Sequence, residues 1–67
     1  MRLFQNKKAK AAKALDEGLL YFENNDFLSA YFTFSAATEF DPKNVRALYY
    51  TGITVLELQN LVFRHNL

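Results

Sequence analysis

Asp26-Phe27-Leu28-Ser29-Ala30-Tyr31-Phe32-Thr33-Phe34-Ser35-Ala36-Ala37-Thr38-Glu39-Phe40-Asp41-Pro42-Lys43-Asn44 is the stretch whose reading decides the fold. Phe27, Ala30, Tyr31, Phe34, Ala37 and Phe40 recur at three- and four-residue spacing, the period of one face of an α-helix. The strict alternation of a half-buried strand fails at Tyr31-Phe32 and at Ala36-Ala37. Asp26 stands where an N-cap is needed, with a short carboxylate able to accept from an orphan backbone N–H of the first turn. At the other end, Pro42 biases Asp41 away from helical geometry, and Asn44 can cap the next helix. The stretch therefore predicts a helix over residues 27–40 with a turn on each side.

Working outward, residues 5–24 carry Ala11, Ala14, Leu15, Gly18, Leu19, Tyr21 and Phe22 at helical spacing within a body of good helix formers. Asn24-Asn25-Asp26 ends that run, because short polar side chains compete with the helical backbone. From Val45 onward, Leu48, Tyr49, Gly52, Ile53, Val55 and Leu56 repeat the pattern. Tyr49-Tyr50-Thr51-Gly52-Ile53-Thr54-Val55 alone suits a strand, but a lone strand has nothing to pair with. The expectation is an all-α fold: three helices joined by short turns, neighbours antiparallel. The third helix is expected either to run on past Gln59-Asn60 or to fray there.

The chain has 67 residues, 51% hydrophobic and 22% charged, which excludes disorder of the low-hydrophobicity, high-charge kind and limits it to one small domain. Without cysteine there is neither a disulfide staple nor a thiolate zinc site. The net charge of +1 conceals an uneven distribution. Arg2, Lys7, Lys8, Lys10 and Lys13 precede any acid, and Asp16, Glu17, Glu23, Asp26, Glu39 and Asp41 follow before the next base. The basic arm could contact phosphate or anionic lipid, but with only Phe4 among the lysines it lacks aromatics for base stacking, and a solvated helix start is the plainer reading. No apolar run approaches a membrane span, and no apolar region follows the first charges as a secretory signal would require. A cytoplasmic setting is the expectation.

The two glycines, Gly18 and Gly52, are 34 residues apart. That shift places Ala14 on Leu48, Leu15 on Tyr49, Leu19 on Ile53, Phe22 on Leu56, Glu23 on Glu57 and Phe27 on Leu61. Gly18, Tyr21, Ala30, Phe34, Ala37 and Pro42 stand at the motif places of a two-helix unit with this period. Residues 11–44 resemble one complete tetratricopeptide repeat (TPR), and residues 45–67 a partial second one or a terminal helix. Ala14 and Glu17 depart from the large aromatic and leucine usual in the family, and Arg64 falls at the place corresponding to Ala30. Small residues at Gly18, Ala30, Ala37 and Gly52 would let antiparallel helices approach closely, with aromatic side chains filling the space between.

The resemblance implies a non-catalytic interaction scaffold whose first helices line a concave groove. Carried onto this chain, the groove positions are Ala12, Leu15, Leu19, Phe22 and Glu23, then Arg46, Tyr49, Ile53, Leu56 and Glu57. Leu15, Leu19 and Tyr50 stand where a clamp for a terminal carboxylate would need polar side chains, so an apolar or amphipathic protein segment is the expected partner. Repeat units rarely bury their faces alone, and Leu58, Leu61, Val62, Phe63 and Leu67 add apolar surface, so self-association is also expected. A tail folded onto the groove, giving a closed three-helix monomer, is the simpler alternative. A three-helix domain similar to microtubule-interacting-and-transport domains, or a nucleic-acid or membrane-surface binder using the basic arm, are further alternatives. Tyr21, Phe22, Phe27, Tyr31, Phe34 and Phe40 read as core.

No catalytic, cofactor or metal site is expected. His65 is the only histidine and has no cysteine or nearby acid as co-ligand. Ser29 and Ser35 have no base at a motif spacing, and Asp16 and Glu17 point to different sides of a helix.

Overall fold

The computed structural model describes the backbone over residues 2–66 and the side chains over residues 6–64. Three helices follow one another: α1 (Arg2–Glu23), α2 (Phe27–Phe40) and α3 (Val45–Asn66). The all-α architecture expected from the spacing is the one observed. α1 begins three residues earlier than the apolar pattern indicated, and α3 runs on past Gln59-Asn60 to Asn66.

Each turn is fixed by the polar residues that interrupt the apolar pattern. Asn25 adopts φ of 62°, the left-handed conformation that Asn tolerates better than most residues. The Asp26 N–H donates to the Tyr21 carbonyl (2.9 Å) and the Asn25 N–H to the Phe22 carbonyl (3.0 Å). This pair of bonds is a Schellman closure, which satisfies the last carbonyls of α1. The Asp26 side chain then accepts from the Ser29 N–H (3.2 Å) and starts α2. At the second turn the Asp41 N–H donates to the Ala37 carbonyl, and the Asn44 side chain accepts from the Ala47 N–H (3.2 Å) to start α3.

α2 is the middle element: α1 and α3 each pack along it and barely touch one another. Ala14, Ala37 and Ala47, one from each helix, form a buried cluster where the three backbones come close. Beside it Leu15, Ala30 and Phe34 form a second cluster, closed by Leu19, Phe22 and Tyr50. Phe34 is the largest fully buried apolar side chain, stacked on Tyr50 at 5.5 Å between centroids. Gly18 makes that position possible: a Cβ built on it would lie 2.5 Å from two atoms of the Phe34 ring. Thr54 is fully buried as well, its hydroxyl donating to the Tyr50 carbonyl (2.7 Å).

The arrangement is elongated, 52 × 19 × 13 Å. The helices are long relative to α2, so the ends of α1 and α3 overhang in opposite directions. Leu61, Val62 and Phe63 stay exposed on the α3 overhang, so the alternative of a tail folded onto the groove is not the one adopted. The core is made chiefly of alanine, with Leu15 and Phe34 its only larger apolar members among the described residues.

Candidate protein-interaction surface

The outward side of α3 carries large apolar side chains in the open. Ala47, Tyr50 and Thr54 face α2. On the opposite side of the helix, at 100° per residue, stand Val45, Tyr49, Gly52, Leu56, Gln59 and Phe63. Their spacing of four, three, four, three and four is that of a coiled-coil seam. Val45 is 75% exposed, Tyr49 62%, Leu56 60% and Phe63 72%. Gly52, in the middle of the seam, would accept a Cβ with nothing within 4 Å. The close approach expected at both glycines is therefore made at Gly18 alone. The reason is the neighbour: the Phe34 ring of α2 fills the space over Gly18, and no described residue fills that over Gly52.

The ten groove positions fall into two sets. On α1, Leu15 is only 5% exposed and belongs to the core, a correction to its expected place in an accessible groove. Leu19 and Phe22 pack against the same Phe34 cluster, and Phe22 meets Phe27 edge-to-face at 5.1 Å, while Ala12 and Glu23 are exposed. α2 takes up this stretch of α1 because Leu15, Leu19 and Phe22 lie on the face that carries Gly18. On α3, Tyr49 and Leu56 belong to the outward seam, Arg46 is exposed, and Ile53 and Glu57 are half-buried. Val45, Gln59 and Phe63 were not among the groove positions, although their four-three spacing with Tyr49, Gly52 and Leu56 was present in the sequence.

Of the repeat-motif residues, Gly18, Ala30, Phe34 and Ala37 are buried, whereas Tyr21, Pro42 and Gly52 are exposed. Tyr21 and Phe40, expected in the core, are also corrected to surface positions. Phe40 has a physical partner there: the Lys10 ammonium sits 5.7 Å from its ring centroid, a cation–π contact between the third turn of α1 and the end of α2. Lys10, Lys13, Phe32 and Phe40 border a shallow groove between α1 and α2. A second groove, of about 510 Å³ and mostly apolar, runs between Tyr31 and the Val55, Leu58, Val62 and Phe63 side of α3.

Lys7, Lys8, Lys10 and Lys13 are solvent-exposed along α1; the Arg2 and Phe4 side chains of the basic arm lie outside the described residues, as do those of His65 and Leu67. Among the described residues no three His, Asp or Glu side chains gather as a metal site would require. None of the described helices is long and apolar enough to cross a membrane. In comparison with known protein families, curated proteins and solved structures, the chain matches none.

Proposed function

We propose that this chain is a non-catalytic protein-interaction module of tetratricopeptide type, which takes up an amphipathic helix or apolar segment along α3. The observation that carries the reading is the outward seam of α3. Val45, Tyr49, Leu56 and Phe63 expose large apolar side chains along one face, with Gly52 and Gln59 between them, on a chain whose own core is mainly alanine. Contiguous apolar surface of this kind on a small domain marks an association site. The helix-in-groove mode, with anchors at three- and four-residue spacing, is the recognition physics such a seam suits. A cytoplasmic setting accords with a cysteine-free chain.

The test is a titration of isotope-labelled protein with a panel of amphipathic helical peptides, read by backbone amide shifts. Perturbations should gather on residues 45–63 and disappear with Leu56→Asp at unchanged helical content. Because Leu56 is solvent-exposed, that substitution leaves the fold intact. Saturable binding confined to Lys7–Lys13 and abolished by added salt would replace this reading with the anionic-surface one. A silent α3 in the presence of every peptide, in a chain that remains monomeric, would end the proposal.

A further inference from the structure

We infer that the occupant of the α3 seam is a second copy of the same helix, paired antiparallel about a two-fold axis level with Thr54. The inference rests on the interaction-module reading and names its partner.

Among antiparallel registers the seam is fully matched in that one. An antiparallel pair brings residue i of one helix opposite a residue of its partner such that the two numbers have a constant sum. With the axis at Thr54, Val45 meets Phe63, Gly52 meets Leu56, and Tyr49 meets Gln59. Every seam position finds a seam position. Moving the register by one heptad in either direction strands two of the six on each chain. The pairings also match in size and chemistry. The open space over Gly52 receives the branched Leu56 side chain, a large residue into a small one, as close packing of helices requires. The Tyr49 hydroxyl meets the Gln59 amide, a polar pair of the kind that selects register in such seams. Leu48 and Val62, exposed beside the seam, come together along one flank.

The described parts of α1 and α2 leave this approach open. α2 covers the side of α3 opposite the seam, so the remainder of each copy lies away from the axis. The result is a stack in the order α1, α2, α3, then α3, α2, α1 of the second copy, each helix antiparallel to the next. The alternation that builds the monomer continues across the axis without a break.

The surface area agrees with this partner. A compact monomer of 7.8 kDa should expose about 4,400 Å². This chain exposes 5360 Å², roughly 1,000 Å² more. A stable two-chain interface covers about 800 Å² on each partner.

Sedimentation equilibrium from micromolar to millimolar protein tests the pairing. The expected result is a reversible dimer whose dissociation constant rises on the order of a hundredfold with Leu56→Asp, which places two carboxylates against Gly52 in an apolar seam. Orientation is read by thiol cross-linking with a short-reach reagent, since the native chain has no cysteine. Val45→Cys mixed with Phe63→Cys should cross-link, while either variant alone should not, its own thiols lying about 27 Å apart along the axis. Self-linking of Val45→Cys would mean a parallel pair and overturn the inference. Dimers or larger assemblies indifferent to Leu56→Asp would overturn it too, by placing association on another face. A folded monomer at every concentration would also overturn it, yet leave the interaction-module reading standing if amphipathic peptides still perturb α3.

Discussion

Gly18→Ala should destabilise this chain although alanine is the better helix former, and replacing Phe34 by leucine should reverse that sign. Gly18 lies within α1, where alanine gains about 1 kcal/mol in helix propensity. Against that gain stands the Phe34 ring, with Cδ1 and Cε1 2.5 Å from the place of the new methyl group and Cζ at 3.1 Å. The ring cannot yield cheaply, because Phe34 is fully buried and stacked on Tyr50. Overpacking of this kind costs about 1–3 kcal/mol, and with the overlap centred on a held ring the upper half of that range applies. The net expectation is a loss of about 1–2 kcal/mol. Phe34→Leu alone also destabilises, by leaving space beside Gly18, and the added methyl then occupies that space. In the double variant Gly18→Ala should be neutral or stabilising, so the cycle should show a coupling of about 1–3 kcal/mol. Urea denaturation followed by circular dichroism measures all four proteins. Gly52→Ala, made in open space, is the internal control and should gain nearly the full propensity term in the monomer. Additive effects of Gly18→Ala and Phe34→Leu would refute the argument, as would equal stabilisation by alanine at both glycines.

The remaining expectations concern the turns and the buried Thr54 hydroxyl. Asp26→Ala removes the side chain that accepts from the Ser29 N–H, and Asn44→Ala the one that accepts from Ala47; each should cost about 1 kcal/mol in the same assay. Asn25→Val should lose about 1–2 kcal/mol because a branched side chain resists the left-handed backbone, whereas Asn25→Gly should hold the wild-type melting temperature or exceed it. Thr54→Val should change stability by less than about 1 kcal/mol, since its hydroxyl bonds only to the Tyr50 carbonyl of its own helix; a larger loss would point to a polar partner for that hydroxyl.

The turns were legible because their chemistry is local. Asp26 and Asn44 act where their side-chain type and position said they would, and α2 has the expected bounds. The sequence leaves the length of α3 open because Gln59 and Asn60 oppose a helix only weakly; with neither Gly nor Pro after Gly52, the apolar pattern carries it to Asn66. Leu15 reads as a groove residue from the sequence because periodicity identifies a helix face without identifying the neighbour that covers it. α2 reaches far enough across α1 to bury it. Gly18 and Gly52 are equivalent by spacing and different in fact, since a glycine matters through what approaches it, and only Phe34 does. The Lys10–Phe40 contact joins residues 30 apart in sequence and depends on the turn between α1 and α2, which no local pattern encodes.

The middle position of α2 sets how this molecule comes apart. With α1 and α3 barely touching, their mutual stability is transmitted chiefly through α2, as in a row of three coupled units. α3 can detach at the cost of one interface, while loss of α2 order dissolves both. Amide hydrogen exchange should therefore be ranked, slowest around Ala30, Phe34 and Ala37 and faster toward the overhanging end of α3, with an intermediate in which the α1–α2 hairpin persists. A partner held on the seam would slow the amides of α3 first and raise the free energy of every opening that must release α3.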